Sequence, residues 1–189
     1  MTTTLIILAV IIGVALIAAL WVMGTYNGLV KLRNRYRNAF SQIDVQLKRR
    51  HELIPRLVAT VKAYSDYEKA TLSAGTELRQ QSRATPELPQ KAVLETAIQA
   101  GLQKLVVVAE EYPELKADAN FRQLQQELAD TEDQIQYARR FYNGSVRQYN
   151  TRIQSFPHLV LAGPMGFNAA DYFALESDIE RKNPAVDVS

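Results

Sequence analysis

The run LIILAVIIGVALIAALWVM, Leu5 to Met23, holds 19 residues without a charge or a proline. As a helix rising 1.5 Å per residue it extends about 28 Å, close to the hydrocarbon thickness of a bilayer. A helix that is apolar on every side needs a large protein around it or a lipid solvent, and a chain of 189 residues does not supply the former. A cleaved signal sequence is the competing reading. The missing basic region before the run and the length of the run both argue against it. The expectation is a transmembrane anchor over residues 1–25, with Trp21 and Tyr26 at the interface, where amphipathic rings prefer to sit.

Charge placement gives the expected orientation. Residues 1–30 carry no charged side chain, whereas Lys31, Arg33, Arg35 and Arg37 follow the span closely. Basic residues are retained on the cytoplasmic side, so the N-terminus is expected outside and the remainder in the cytoplasm of a single-pass membrane protein. The same four residues suit anionic headgroups. Arg49 and Arg50 lie too far along a straight helix for that and suit ion pairs within a bundle or with a partner. Ala9 with Gly13, and Ala15 with Ala19, place small residues four apart in the span, a spacing that permits close helix contact.

Beyond the span the apolar pattern is helical. Leu29, Leu32, Tyr36, Phe40, Ile43 and Leu47 step by three and four residues. The pattern resumes in phase after Pro55, through Val58, Val61, Tyr64, Glu68 and Leu72, so a kink or two abutting helices is expected there. RATPELPQ at 83–90 reads as a turn, and a helix is expected over 91–110 with Leu94, Ile98, Leu102, Leu105 and Val108 or Ala109 on its apolar face. A final helix is expected over 116–155. Its seam, Phe121, Leu128, Ile135, Tyr142, Tyr149 and Phe156, recurs every seven residues, with Leu124, Thr131, Ala138 and Ser145 beside it. The companion position drifts to Val146 and Ile153, as a straight helix requires. Together these give an all-α fold: an anchor, an antiparallel bundle of long helices over 26–157, and an irregular C-terminal extension over 158–189.

Tyr-Asn occurs at 26–27, 142–143 and 149–150. The tyrosines of the last two fall on the seam, so their rings are expected in the bundle core with hydroxyls reaching a polar rim and the amides bonding across helices or to water. A carbohydrate or peptide site of stacked tyrosines is the sharper alternative. Catalytic chemistry finds no foothold. There is no cysteine, and His51 and His158 are the only histidines. His51 beside Glu52 lacks a second histidine at metal spacing and reads as a solvated helix face. GPMG at 163–166 lacks the lysine of a phosphate loop. On TEDQIQYARR at 131–140, Glu132 or Asp133 can pair with Gln136, Arg139 or Arg140 along one helix. No cofactor, nucleic acid or small-molecule substrate is expected.

The residues carry one specific resemblance. YNGLVKLRNRYRNAFSQIDVQLKRRHELIPRLV at 26–58, VKAYSDYEKATL at 61–72 and AEEYPELKADANFRQLQQELADTEDQIQYARRFYNGSVRQYN at 109–150, with FP at 156–157 and GF at 166–167, resemble the bacterial LemA family. The resemblance implies a membrane-anchored antiparallel helical bundle and supplies no catalytic residues. The expected role is therefore a scaffold at the bacterial cell membrane that self-associates into a homo-oligomer. An adaptor for another membrane protein, such as a protease or signalling enzyme, is the alternative. An enzyme would show itself by a cluster of buried ionisable groups.

Overall fold

The computed structural model describes residues 2–62, 69–85, 88–109 and 112–173. Its helices are α1 (Thr2–Lys62), α2 (Lys69–Ala84), α3 (Leu88–Ala109), α4 (Pro113–Ala117), α5 (Ala119–Gln154) and α6 (His158–Ala162). No strand occurs among the described residues, and the fold is all-α. Tyr64 and Glu68 lie outside the described residues, as do the side chains of Leu72, Val108 and Ala109 and the extension from residue 174 onward.

α1 is one uninterrupted helix of 61 residues, and Pro55 lies inside it. Neither a break nor a second helix follows the proline, because the helical apolar phase continues on both sides of it: Leu53, Ile54, Leu57 and Val61 are all buried. Its N-terminal part is the opposite case. Leu5 to Leu20 are exposed throughout their large apolar side chains, and this is the one helix among the described residues long and apolar enough to cross a membrane.

Two compact units gather around these helices. The first takes in residues up to Ser41 of α1 and Phe141–Asp171. Here α1 and α5 run antiparallel: Tyr36 packs on Tyr149 with ring centroids 5.0 Å apart, and Phe40, one turn later, packs on Tyr142 at 5.8 Å. Leu29, Tyr149, Ile153, Ala162 and Phe167 form its apolar core. After α6 the chain turns at Gly166, whose φ of 73° suits a residue without a side chain. The Phe167 amide donates to the Ala162 carbonyl at 2.9 Å, closing that turn.

The second unit takes in Gln42–Arg140 with Tyr172 and Phe173. α1 and α5 are again antiparallel, since Arg50 pairs with Glu132 and Arg56 with Glu127. Leu53, Ile54, Leu57 and Val61 of α1 meet Ile98 and Leu102 of α3, Leu115 of α4 and Phe121 and Leu124 of α5. Asp118 caps α5, accepting from the Phe121 amide at 2.9 Å, which explains why the expected helix over 116–155 is divided into α4 and α5. The Arg139 guanidinium lies over the Phe173 ring at 4.9 Å, so the extension has a packed beginning.

The seam is buried at Phe121, Ile135, Tyr142 and Tyr149 and half-buried at Leu128. Ile43 and Leu47 are buried as well. Phe156 is the correction. It is 83% exposed, because α5 ends at Gln154 and the seven-residue repeat has no helix left to carry it inward. The extension from 158, expected as irregular, opens with the short α6.

Replacing Leu57 by Ala should lower stability by about 2–5 kcal/mol, the usual cost of a cavity in a packed core. Denaturant unfolding of the full chain in detergent reads this directly, and a cost below about 1 kcal/mol would contradict the packing described.

Candidate functional site

The Tyr-Asn segments of α5 build a cradle for the chain that follows α6. Tyr142 donates its hydroxyl to the Asp171 carbonyl at 2.8 Å, and Tyr149 donates to the Asn168 carbonyl at 2.9 Å. Asn150 makes two bonds to one residue: its amide nitrogen donates to the Ala170 carbonyl and its amide oxygen accepts from the Ala170 amide, both at 2.9 Å. The rings of Tyr142 and Tyr149 are core and their hydroxyls and the neighbouring amide are polar tips, so packing and recognition are done by the same residues. Burial pushes the Tyr142 phenol up to about 12, with Tyr36 and Asp171 adding to it. Burial also raises Tyr149, with Tyr36, against the opposing pull of Arg33 and Arg37. Both hydroxyls therefore keep the proton they donate. Tyr26-Asn27 is not part of the cradle, but the Tyr26 ring meets Phe167 edge-on at 5.6 Å.

The basic stretch divides. Arg33 stacks over Phe167 at 5.0 Å. Arg35 stacks over Phe141 at 5.6 Å and donates to the Gln148 side chain at 3.1 Å. Lys31 and Arg37 are exposed, as are Trp21 and Tyr26. Arg33 and Arg35 thus pack and pair within the first unit, a role that charge alone did not disclose.

The second unit holds a buried polar cluster. Arg50 and Glu95 are each fully buried and form an ion pair, and Arg50 also donates to Glu132 at 2.8 Å. His51 is buried as well, not solvated, and its Nε2 bonds the Glu95 carboxylate at 2.8 Å. Ser82 donates to the same carboxylate oxygen. Pro55 completes the arrangement. Having no N–H, it leaves the His51 carbonyl without its helical donor, and Arg79 of α2 donates to that carbonyl at 3.2 Å. On Glu132, the oxygen not held by Arg50 accepts from Gln136 at 3.2 Å, one turn along α5. α1, α2, α3 and α5 meet at this cluster.

This is a cluster of buried ionisable groups, and its bonds hold each of them in place. Burial raises the Glu95 carboxyl, but the bonds from His51 and Ser82 and the charge of Arg50 outweigh it and hold the group down at about 2. Glu95 is therefore a fixed anion, not a proton carrier near neutrality. Ser82 and His51 converge on one carboxylate oxygen, so the acceptor for the hydroxyl is the Glu95 carboxylate, a weak base with its pKa held down at about 2, and not the imidazole. Among the described residues no group of three or more His, Asp or Glu side chains could hold a metal ion. Glu132 also borders an open groove of about 510 Å³ lined by Leu102, Val106 and Val107 of α3 and Leu128 and Ala129 of α5.

Comparison with known proteins agrees with the resemblance seen in the sequence. The family model described as the LemA family matches residues 39–188. A protein named LemA from Metamycoplasma hominis is 29% identical over 161 residues, spanning 84% of this chain and 73% of that one. The magnetosome protein MamQ 2 of Paramagnetospirillum magneticum is 25% identical over 195 residues, spanning 89% and 71%. MamQ of Magnetospirillum gryphiswaldense is 24% identical over 174 residues, spanning 78% and 64%.

Both sites give measurable consequences. Changing Glu95 to Gln strips the charge that compensates Arg50, and a buried pair broken on one side costs about 3–5 kcal/mol. The Glu95 carboxyl lies lower in the folded state than its ordinary 4.5. Its contribution is therefore complete above pH 4.5 and lost as pH falls toward about 2; acid titration of unfolding should show this loss in the native chain and not in Glu95→Gln. In the cradle, Asn150→Ala removes two main-chain bonds and should cost about 1–3 kcal/mol locally, with Tyr149→Phe costing less. Limited proteolysis followed by mass spectrometry should then show faster cleavage within residues 167–173; equal rates would contradict the cradle.

Proposed function

The chain belongs to the LemA family, and on that basis we propose that it is a membrane-anchored helical scaffold. The observation that carries this reading is the double character of α1. One uninterrupted helix holds an apolar segment, Leu5–Met23, that is long enough to cross a bilayer and is left uncovered, and then a face buried in packed helices. Such a helix ties the position of folded protein to a membrane without a flexible linker, and confinement to a surface raises the concentration of whatever the protein meets there.

In this reading the N-terminus lies outside the bacterial cell membrane and the helical units face the cytoplasm. Lys31 and Arg37 support it, being exposed and basic just past the span. Small residues at 9, 13, 15 and 19 support self-association through the span. The mechanism is positional and uses no cofactor, nucleic acid or small-molecule substrate. The partners are the bilayer and further copies of the chain. An adaptor serving another membrane protein is the competing reading.

Gentle detergent extraction of the tagged chain from its own membrane, followed by mass spectrometry of the intact complex, distinguishes the two. A fixed number of copies of this chain alone is the expected result. A different protein at stoichiometric level would replace the scaffold reading with the adaptor one. The chain has no cysteine, so a single one introduced at exposed Thr151 reports sidedness. An impermeant thiol reagent should leave it unlabelled in intact cells and label it after lysis. Labelling in intact cells would reverse the orientation.

A further inference from the structure

Phe156 is expelled from the seam, and it has company. In the turn after α5 and on α6, Phe156, Leu159 and Val160 are 83%, 57% and 63% exposed. The opposite side of the same short stretch is firmly fixed, because Ala162 and Phe167 are buried with Leu29, Tyr149 and Ile153. Water is a poor environment for three adjacent large apolar side chains held in place in this way.

The attachment points show where the patch lies. Leu29 follows Met23, the last residue of the apolar span, by about 9 Å of helix. Tyr26, whose ring touches Phe167, follows it by about 5 Å. The stretch from Ser155 to Phe167, SFPHLVLAGPMGF, contains no Asp, Glu, Lys or Arg. His158, its one titratable group, is held below its ordinary value by burial and by Arg152, which favours the neutral ring. Arg152, three residues before the stretch, and Lys31, on α1 two residues past Leu29, are both exposed, where they can meet headgroup phosphates. An apolar face, a basic border and a position just past a transmembrane segment are together the attributes of an element that lies in the membrane interface.

We propose that the turn and α6 insert Phe156, Leu159 and Val160 into the bilayer interface beside the anchor, giving the chain a second membrane contact. This rests on the reading of Leu5–Met23 as the anchor. With two contacts, α1 is held in its tilt as well as in its depth, because a patch set to one side of a spanning helix enters lipid more deeply when the helix leans toward that side.

The full chain reconstituted in phosphatidylcholine–phosphatidylglycerol vesicles tests both statements separately. Trp21 is the only tryptophan, so the native protein reports the anchor. In a Trp21→Phe background, Phe156→Trp and Leu159→Trp report the patch, and Phe141→Trp, about 22 Å back along α5, reports a position away from it. Brominated lipids should quench Phe156→Trp and Leu159→Trp several-fold more than Phe141→Trp, and iodide should show the reverse order. Quenching of the patch reporters by iodide at the level of Phe141→Trp would overturn the proposal. So would resistance to both quenchers, which means that protein covers the patch. Native Trp21 quenched by brominated lipid in either case leaves the anchor standing; native Trp21 that escapes brominated lipid removes the anchor and the patch contact with it.

Discussion

A carboxylate out of contact with water is tolerated only while its partners stay in place, and the second unit is built around one such group. Glu95 is held by Arg50, His51 and Ser82, which come from α1 and α2, and Arg50 reaches on to Glu132 of α5. An apolar core alone accepts small slides of helix on helix at little cost. Directional bonds to a buried charge do not. A shift of α1 or α3 by a turn would leave an ion unpaired in the interior, and that penalty exceeds the gain from any single apolar contact; a shift of α2 or α5 would break the bonds of Ser82 or Glu132 to the pair. The register of four helices is thus fixed at one atom group, while Leu57, Ile98, Phe121 and their neighbours supply the bulk of the burial.

Much of this was legible in the amino-acid pattern. The uncovered span, the helical phase of α1 and the seam of α5 follow from apolar spacing, which reports which side of a helix is inside. Spacing says nothing of what a polar residue does once it is inside. Arg50 and His51 stand three and four residues after buried Leu47, and Glu95 stands three before buried Ile98; each is therefore in phase with the core. The polarity of His51 made it read as solvent-facing, although the phase was the better guide; Arg50, which suited an ion pair within a bundle or with a partner, makes one inside, and its partner Glu95 carried no signal that singled it out. Phe156 failed in the other direction. It kept the seven-residue spacing but lay beyond the last helical residue, and periodicity has meaning only where the helix continues.

Pro55 shows the same separation of pattern and role. Its ring was expected to bend or divide the helix, and α1 is not divided: it continues past the proline as one element. What the proline changes is a single carbonyl. The oxygen of His51 is released from the helix and becomes an acceptor for Arg79, so a helix-breaking residue creates the acceptor to which α2 is bonded. Local chemistry that looks unfavourable in isolation is here completed by a residue 28 positions away.

The cradle in the first unit deserves to be seen as a ladder rung. Two bonds join the amide of Asn150 to the N–H and C=O of a single residue, Ala170, which is the pairing that one β-strand offers another. An all-helical protein thus holds an extended segment by making a side chain imitate a strand neighbour. What is read is main chain, not side chain. The identities of residues 168, 169 and 171 are accordingly unconstrained by these bonds. Position 170 has one forbidden occupant, proline, since it alone lacks the N–H that Asn150 accepts.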